Sequence, residues 1–457
     1  MLLKRHTVKN YKSALILGLG GSGAAAAALL MGENSSVTII DRDYSDELIG
    51  RAEGLKKKGA EIILKCNGIP EKYFDVCIIS PGVPADSIWV KDVESRGINV
   101  LSELELGASR RKCPMLAITG TNGKSTMAKL CENAMSYAGC HAELAGNYGP
   151  PLCEIVKRRE KIDWLIVEVS SFQLEKISRF KPDVGVLLNI QTDHLNRHRD
   201  MDVYTEIKSR LFAGMKKKDV RIILDNDKDT ICSILKEPRN KDIKEQKDHC
   251  WITFGLSQKA DYRYANGLIY GSNTLSVKGT IFANRIMGVI AAAAAASMHA
   301  CGLASNSIEQ AVRAFSPLPH RMAKIAKVNN IIFIDDSKAT NLAALSAGLE
   351  MSMGNVRLIA GGLLKEKNLK SVKKILAEKV KKVYLIGDAS KEMEKAWRDV
   401  VQCCQCQYLE KAVHTAWHDA QEGETILLSP GGASFDQFKN FEDRGNQFIR
   451  IVKGEIK

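Results

Sequence analysis

Gly120-Thr-Asn-Gly-Lys-Ser-Thr126 stands between an apolar run, Met115-Leu-Ala-Ile-Thr119, and a helix-patterned run through Met127, Leu130 and Met135. A glycine-rich turn that joins a strand to a helix aims backbone N–H groups at an anion, and the helix N-terminus adds its partial positive charge. In such a turn Lys124 neutralises phosphate oxygens and Ser125 offers a hydroxyl to Mg²⁺. The full GxxxxGK[ST] pattern is not met, because Ile118 stands where its first glycine belongs. A turn without function would not be expected to end in Lys-Ser-Thr at a helix start. The stretch therefore reads as a nucleoside triphosphate site on a strand–turn–helix unit.

Outward from this unit, strand-like and helix-like segments alternate, which predicts an α/β chain with mainly parallel sheets. Ala14–Leu17, Val37–Ile40 and Val76–Ile79 are short apolar strands before the phosphate turn, and Leu165–Val167 and Val184–Leu188 follow it. Ile331–Ile334, Arg357–Ala360, Val383–Ile386 and Thr425–Leu428 form a third set. Breaks near Leu106 and near Pro317-Leu-Pro319 give three domains: a Rossmann-like domain over 1–106, a central P-loop-type ATPase domain with a parallel sheet over 107–316, and a Rossmann-like C-terminal domain over 317–457. The charged stretch Lys236 to Lys247 reads as an exposed loop.

The bulk properties agree. A chain of 457 residues exceeds the roughly 250–300 that one core supports, and 45% hydrophobic residues supply sizeable cores. The net charge of +13 comes largely from short clusters such as Lys56-Lys57-Lys58, with no arginine-rich or basic-aromatic tract, so nucleic acid is not the expected partner. Two stretches mimic membrane signals. Lys4, Arg5, Lys9 and Lys12 precede an apolar run from Ala14 to Met31, but Gly18, Gly20, Gly21 and Gly23 fit a strand–turn–helix better than a leader. Ile286 to Leu303 is alanine-rich with Ser297 and His299 inside it, which fits a buried helix. The expectation is a cytoplasmic protein without membrane insertion, its twelve cysteines reduced. Cys403 and Cys406 with His414 and His418 imitate a zinc site, yet the gap between the pairs is short and a strand over Cys403–Tyr408 would turn the two thiols to opposite faces.

Gly18-Leu-Gly20-Gly-Ser-Gly23 after a strand, with Asp41 ending the next one, matches a dinucleotide fingerprint. The same geometry admits a UDP-linked substrate, so the fingerprint leaves NAD, FAD and UDP open. Glu168-Val-Ser-Ser-Phe-Gln-Leu-Glu175 begins at a strand end, where a parallel sheet presents ligand groups, and Glu168 is a candidate Mg²⁺ ligand. Asn189-Ile-Gln-Thr-Asp-His194-Leu-Asn-Arg-His198 follows another strand and brings His194 as a second candidate.

Together these strings resemble the Mur ligases of peptidoglycan synthesis over nearly the whole chain. The general signals are Gly120–Thr126, Gly146-Asn147-Tyr-Gly149, Asp193-His194 and Pro319-His320-Arg321. Glu168–Glu175, Asp336-Ser-Lys338-Ala-Thr340-Asn341 and Asp436–Gly445 resemble the D-glutamate-adding branch. The resemblance implies an ATP-dependent, amide-forming ligase, acting as a monomer on UDP-N-acetylmuramoyl-L-alanine and D-glutamate, with two Mg²⁺ sites. It further implies that Gly18, Gly20, Gly23, Asp41, Gly82, Asn147, Gln173 and His194 hold the UDP substrate. ATP would meet Gly120, Thr121, Asn122, Gly123, Lys124, Ser125, Thr126, Asn284, Arg321 and Asp336. Lys338, Thr340, Lys365, Ser434 and Phe441 match positions around D-glutamate, and Lys208 matches a lysine that the family carbamylates. Lys124, Glu168, His194 and Lys208 would form the catalytic group, with Ser125, Glu168, His194 and carbamylated Lys208 on metal. Segments near Leu106 and Pro317 would serve as hinges.

The chain departs from the family at Ala283-Asn284-Arg-Ile-Met287, where His-Asn-x-x-Asn is usual, and at Asp335, Asn196 and Gly431-Gly432. None of these touches Lys124, Glu168, His194 or Lys208. A related ligase with another acceptor, an NAD-dependent oxidoreductase and an idle scaffold are the competing readings.

Overall fold

The computed structural model describes residues 9–236, 250–366 and 368–456. Lys4, Arg5 and the charged stretch from 237 onward lie outside the described residues. Three sheets carry the chain. The first has five parallel strands in the spatial order Glu61–Ile63, Ser36–Ile40, Ser13–Leu17, Val76–Ile79, Val100–Ser102. Alternate residues of its strands feed two cores. Ala14, Ile16, Val37 and Ile39 pack with Ala26, Ala27 and Leu30 on one face. Leu15, Leu17, Ile40 and Ile79 meet Trp89, Val90 and Val93 on the other. Burial on both faces is why these strands read as continuous apolar runs.

The second sheet has nine strands. Met115–Thr119 lies between Trp164–Glu168 and Val184–Leu187, all parallel, with Ala117 opposite both Val167 and Gly185. Ala142–Gly146 closes one edge; Val220–Leu224 and Cys250–Gly255 extend the other. Beyond them, Tyr262–Ala265, Leu268–Tyr270 and Leu275–Ser276 form an antiparallel meander, which the sequence reading did not foresee. The alanine-rich helix spans Arg285–Ala300, with Ala291 to Ala296 fully buried, and no helix among the described residues is long and apolar enough to cross a membrane. The first apolar run is likewise a strand, a glycine turn and the helix Gly21–Gly32.

The third sheet runs Ala323–Val328, Ile331–Asp335, Thr425–Gly431, Val356–Gly361, Val380–Ile386, Gln402–Gln407. Its first pair is antiparallel and the rest parallel.

The chain clusters into two compact units, one holding the first two sheets and the other the third sheet together with Gln191–Met201. That short segment thus belongs with the C-terminal part, although in sequence it interrupts the central one. Residue 106, the expected end of the first domain, falls within the helix Glu103–Arg110: Leu104 packs into the core of the second sheet and Leu106 into that of the first. One helix shared by two cores leaves no linker at this point.

Candidate active site

In the first unit the phosphate turn is held open by its own backbone. Gly123 has φ +88° and a Cβ there would meet Ile290 at 2.9 Å; Gly120 has φ +147° and faces Leu188. Asn189, the first residue beyond the Leu187–Leu188 strand end, braces the turn. Its Oδ1 accepts from the N–H groups of Thr121 (3.1 Å) and Asn122 (2.9 Å), and its Nδ2 donates to the Asn122 carbonyl (2.9 Å). Sequence reasoning gave Asn189 no role. Its position just past the strand beside the phosphate-turn strand was the signal.

Lys124 donates to the carbonyls of Gly120 and Thr121, both at 2.8 Å. Lys208, only 1% exposed, donates to the same Gly120 carbonyl at 2.9 Å and lies 4.6 Å from the Tyr204 ring centroid. The Tyr204 hydroxyl is 3.2 Å from Thr121 Oγ1. Two lysines therefore converge on one turn, which suits a polyanion. Behind them Ser125 Oγ donates to Glu168 Oε2 at 2.6 Å, and Asn147 Nδ2 donates to Glu168 Oε1 at 2.6 Å. Ser125 and Glu168 are buried, a hydroxyl and carboxylate set whose hard oxygens match Mg²⁺ chemistry. Asn147 thus sits on the carboxylate, and Gln173 caps its own short helix, Oε1 accepting from the N–H and hydroxyl of Ser170. Asn284 caps the alanine-rich helix through Ile286 N–H.

At the first sheet, Gly18 has φ +92° and Gly23 packs against it so closely that a Cβ would stand 1.9 Å from Gly18 O. Gly20 precedes the helix as its cap residue. Asp41 accepts from Leu19 N–H (2.7 Å) and Asp43 N–H (2.9 Å), so its carboxylate shapes the turn. Ser80 Oγ donates to Gly18 O at 2.9 Å, which ties the Ser80–Pro81–Gly82 turn to the same crevice. The crevice opens where the strand order reverses, the usual ligand position in such sheets.

The second unit carries the remaining candidates. Asp336 is buried, accepts from Ser429 Oγ (2.9 Å) and Met322 N–H (3.3 Å), and has its carboxyl pushed up to about 7 by burial, against the opposing effects of Ser429 and the Arg321 charge. Lys338 Nζ lies 4.6 Å from the Phe441 ring centroid. Lys365 and Ser434 sit on loops that pair through Leu363 and Ala433, whose N–H groups and carbonyls exchange bonds at 2.8 Å. Fully buried Arg444 locks this region, donating to the carbonyls of Ser337 (2.8 Å) and Gly432 (3.2 Å). Thr340 N–H turns back to Lys338 O at 2.9 Å, and Asn341 caps the helix Leu342–Met351. His194, at φ +54° in the Gln191–Met201 segment, has its N–H on Asp193 Oδ1 (2.9 Å) and Nε2 3.4 Å from Asp193 Oδ2.

None of the twelve cysteines forms a disulfide. Cys403 and Cys406 lie on the strand Gln402–Gln407 and make no close metal-type cluster with His414 and His418; among the described residues such a cluster forms only at exposed His141 and Glu160 with half-buried Glu143.

Comparison with known proteins matches residues 118–294 to the Mur ligase middle domain and residues 320–432 to the Mur ligase glutamate ligase domain. The chain is 33% identical over 452 residues to a UDP-N-acetylmuramoylalanine–D-glutamate ligase of Acidobacterium capsulatum, covering 96% of each protein. It is 35% identical over 450 residues to the ligase of that name from Pelotomaculum thermopropionicum, covering 96% of this chain and 97% of that one. Among solved structures, the MurF ligase of Thermotoga maritima in complex with ADP superposes with a TM-score of 0.61 at 14% identity, over 92% of this chain and 95% of that one. This last likeness speaks to fold alone. The chain belongs to the Mur ligase family.

Proposed function

We propose that this protein is an ATP-dependent ligase that joins D-glutamate to UDP-N-acetylmuramoyl-L-alanine, the reaction named for its relatives from Acidobacterium and Pelotomaculum. One observation carries the reading furthest: the phosphate turn, with Lys124 and Lys208 on it and the Ser125–Glu168 pair behind it, lies in a chain aligned with those ligases over 96% of its length.

The chemistry follows from the charges. A carboxylate oxygen of the UDP substrate attacks the γ-phosphorus of ATP, the bond to the β-phosphate oxygen breaks, and ADP leaves behind an acyl phosphate. The amine of D-glutamate then attacks that carbonyl carbon, inorganic phosphate departs from the tetrahedral intermediate, and the nitrogen gives up a proton. Bringing one anion onto another is the obstacle, so catalysis is positioning plus charge stabilisation. Lys124 supplies a cation where charge gathers on the transferred phosphoryl group. The N–H groups of Thr121 and Asn122 donate to Asn189 Oδ1, so Asn189 fixes the shape of the turn on which Lys124 stands. Within the first unit Ser125 and Glu168 would hold Mg²⁺, which supplies charge neutralisation of phosphate oxygens when bound. Lys208 is a second candidate; as a carbamate it would offer an anion in place of its present N–H donor.

For the acceptor, Lys338, Thr340, Lys365, Ser434 and Phe441 would hold D-glutamate, and the Gly18–Gly23 turn with Ser80–Gly82 the UDP end. Arg321 and Asp336 would meet ATP. The reading further takes the enzyme as a cytoplasmic monomer, which sedimentation would check.

The test is phosphate release from ATP with UDP-N-acetylmuramoyl-L-alanine, with and without D-glutamate, and mass detection of the product. D-glutamate-dependent release with one glutamyl unit added, abolished in Lys124→Ala, is the expected result. Release with a different amino acid would overturn the acceptor, and near-normal turnover in Lys124→Ala would overturn the mechanism.

A further inference from the structure

Lys365, the cation proposed above for an amino-acid carboxylate, faces one of the chain's own acids within the second unit. Asp193 Oδ1 lies 3.9 Å from Lys365 Nζ, and Asp193 Oδ2 accepts from Asn341 Nδ2 at 3.1 Å. The side chain of Asp193 is only 8% exposed, so this placement is built into the fold. A second acid, Glu366, lies next in sequence to Lys365 and accepts at Oε1 from Leu342 N–H (3.2 Å), the first N–H of the helix Leu342–Met351. Thus an ammonium, a side-chain amide and a helix-start N–H, three groups that bind carboxylates well, are engaged by two carboxylates of the chain itself.

We propose that Asp193 and Glu366 are internal stand-ins for the two carboxylates of a dicarboxylic amino acid, and that the acceptor binds by displacing them from Lys365, Asn341 and the Leu342 N–H. The inference rests on the reading of Lys365 as an acceptor ligand and adds an internal competitor to it. An amino acid with a single carboxylate would displace one stand-in and leave the other in place. Each displaced acid must find water or another partner, so both stand-ins weaken binding of the dicarboxylic acceptor. An ordinary capping or turn-forming role has the opposite sign, since its loss would disturb the loop and weaken binding.

Glu366→Gln keeps the acceptor for Leu342 N–H and removes the competing charge. With ATP and UDP-N-acetylmuramoyl-L-alanine saturating, its KM for D-glutamate should fall roughly two- to fivefold, the range of a partly exposed ion pair. Because Asp193 adjoins His194, Asp193→Asn is read by equilibrium instead. The D-glutamate concentration that gives half-maximal thermal protection, with a non-hydrolysable ATP analogue and the UDP substrate present, should fall by a similar factor. Lys365→Met serves as the control. A raised KM there, together with an unchanged or raised KM in Glu366→Gln and unchanged or weaker protection in Asp193→Asn, would overturn the stand-in proposal alone. An unaltered KM in Lys365→Met would overturn the acceptor reading and the proposal with it.

Discussion

Glu103 should make the first unit less stable as pH rises through neutrality, and Glu103→Gln should remove the effect. The side chain is 1% exposed; Oε1 accepts from Cys153 N–H at 2.7 Å, while Oε2 is buried with no hydrogen-bond partner. Burial outweighs the Cys153 bonds and pushes the carboxyl from an ordinary 4.5 up to about 7. The folded protein therefore keeps a proton that the unfolded chain has already released between those values. Below about pH 4.5 the acid is neutral in both states and its contribution is intact; stability then falls as pH rises, and levels off above about 7. A shift of about 2.5 units at 1.36 kcal/mol each amounts to about 3 kcal/mol. Glutamine retains a carbonyl for Cys153 N–H and cannot ionise. At pH 5 the variant and the parent should melt within a degree or so of each other. At pH 8 the variant should melt about 5 °C higher, given an unfolding entropy of roughly 2.1 cal/mol/K per residue over a unit of about 300 residues. Thermal melts of both proteins at the two pH values give a double difference in which other titrating groups, Asp336 included, cancel. A gap between the two melts that does not change with pH would refute the reasoning.

Other consequences are as direct. Gly23→Ala places a Cβ 1.9 Å from Gly18 O, so the turn must open; KM for the UDP substrate should rise at least about tenfold with KM for ATP unmoved, as steady-state kinetics on each substrate would show. Asn189→Ala removes the brace from Thr121 and Asn122, and kcat/KM for ATP should drop roughly ten- to a hundredfold in the same assay. Arg444→Met leaves the Ser337 and Gly432 carbonyls without their buried donor; urea unfolding should show a loss of about 2–4 kcal/mol, with a raised KM for D-glutamate.

Much of this architecture was legible because the deciding signals are local. Ala14–Leu17 and residues 115–118 are apolar over their full length since both faces of their sheets are covered, and the glycines after them require backbone that other residues adopt poorly. The meander over Tyr262–Ser276 was not legible. Its strands are two to four residues long and half exposed, too short to show a period. The helix Glu103–Arg110, which feeds two cores, likewise carries no compositional break.

The residues that aim the site were harder to see than those that form it, and the difference is physical. Lys124, Ser125 and Glu168 announce themselves because a phosphate turn and a strand end restrict what can stand there. Asn189 and Asp193 act through contacts with residues 67 and 148 positions away, and no spacing rule reaches so far. Asp193 gives the sharper lesson. In sequence it is the neighbour of His194 in a central-domain motif, whereas in the fold its segment belongs with the C-terminal unit and its carboxylate meets Asn341 and Lys365. A loop that leaves one unit to pack within another carries its chemistry with it. The residue proposed for metal and the residues proposed for the amino acid are thereby bound into one structural element. One carboxylate, Asp193, thus meets His194 N–H, Asn341 Nδ2 and the Lys365 ammonium together.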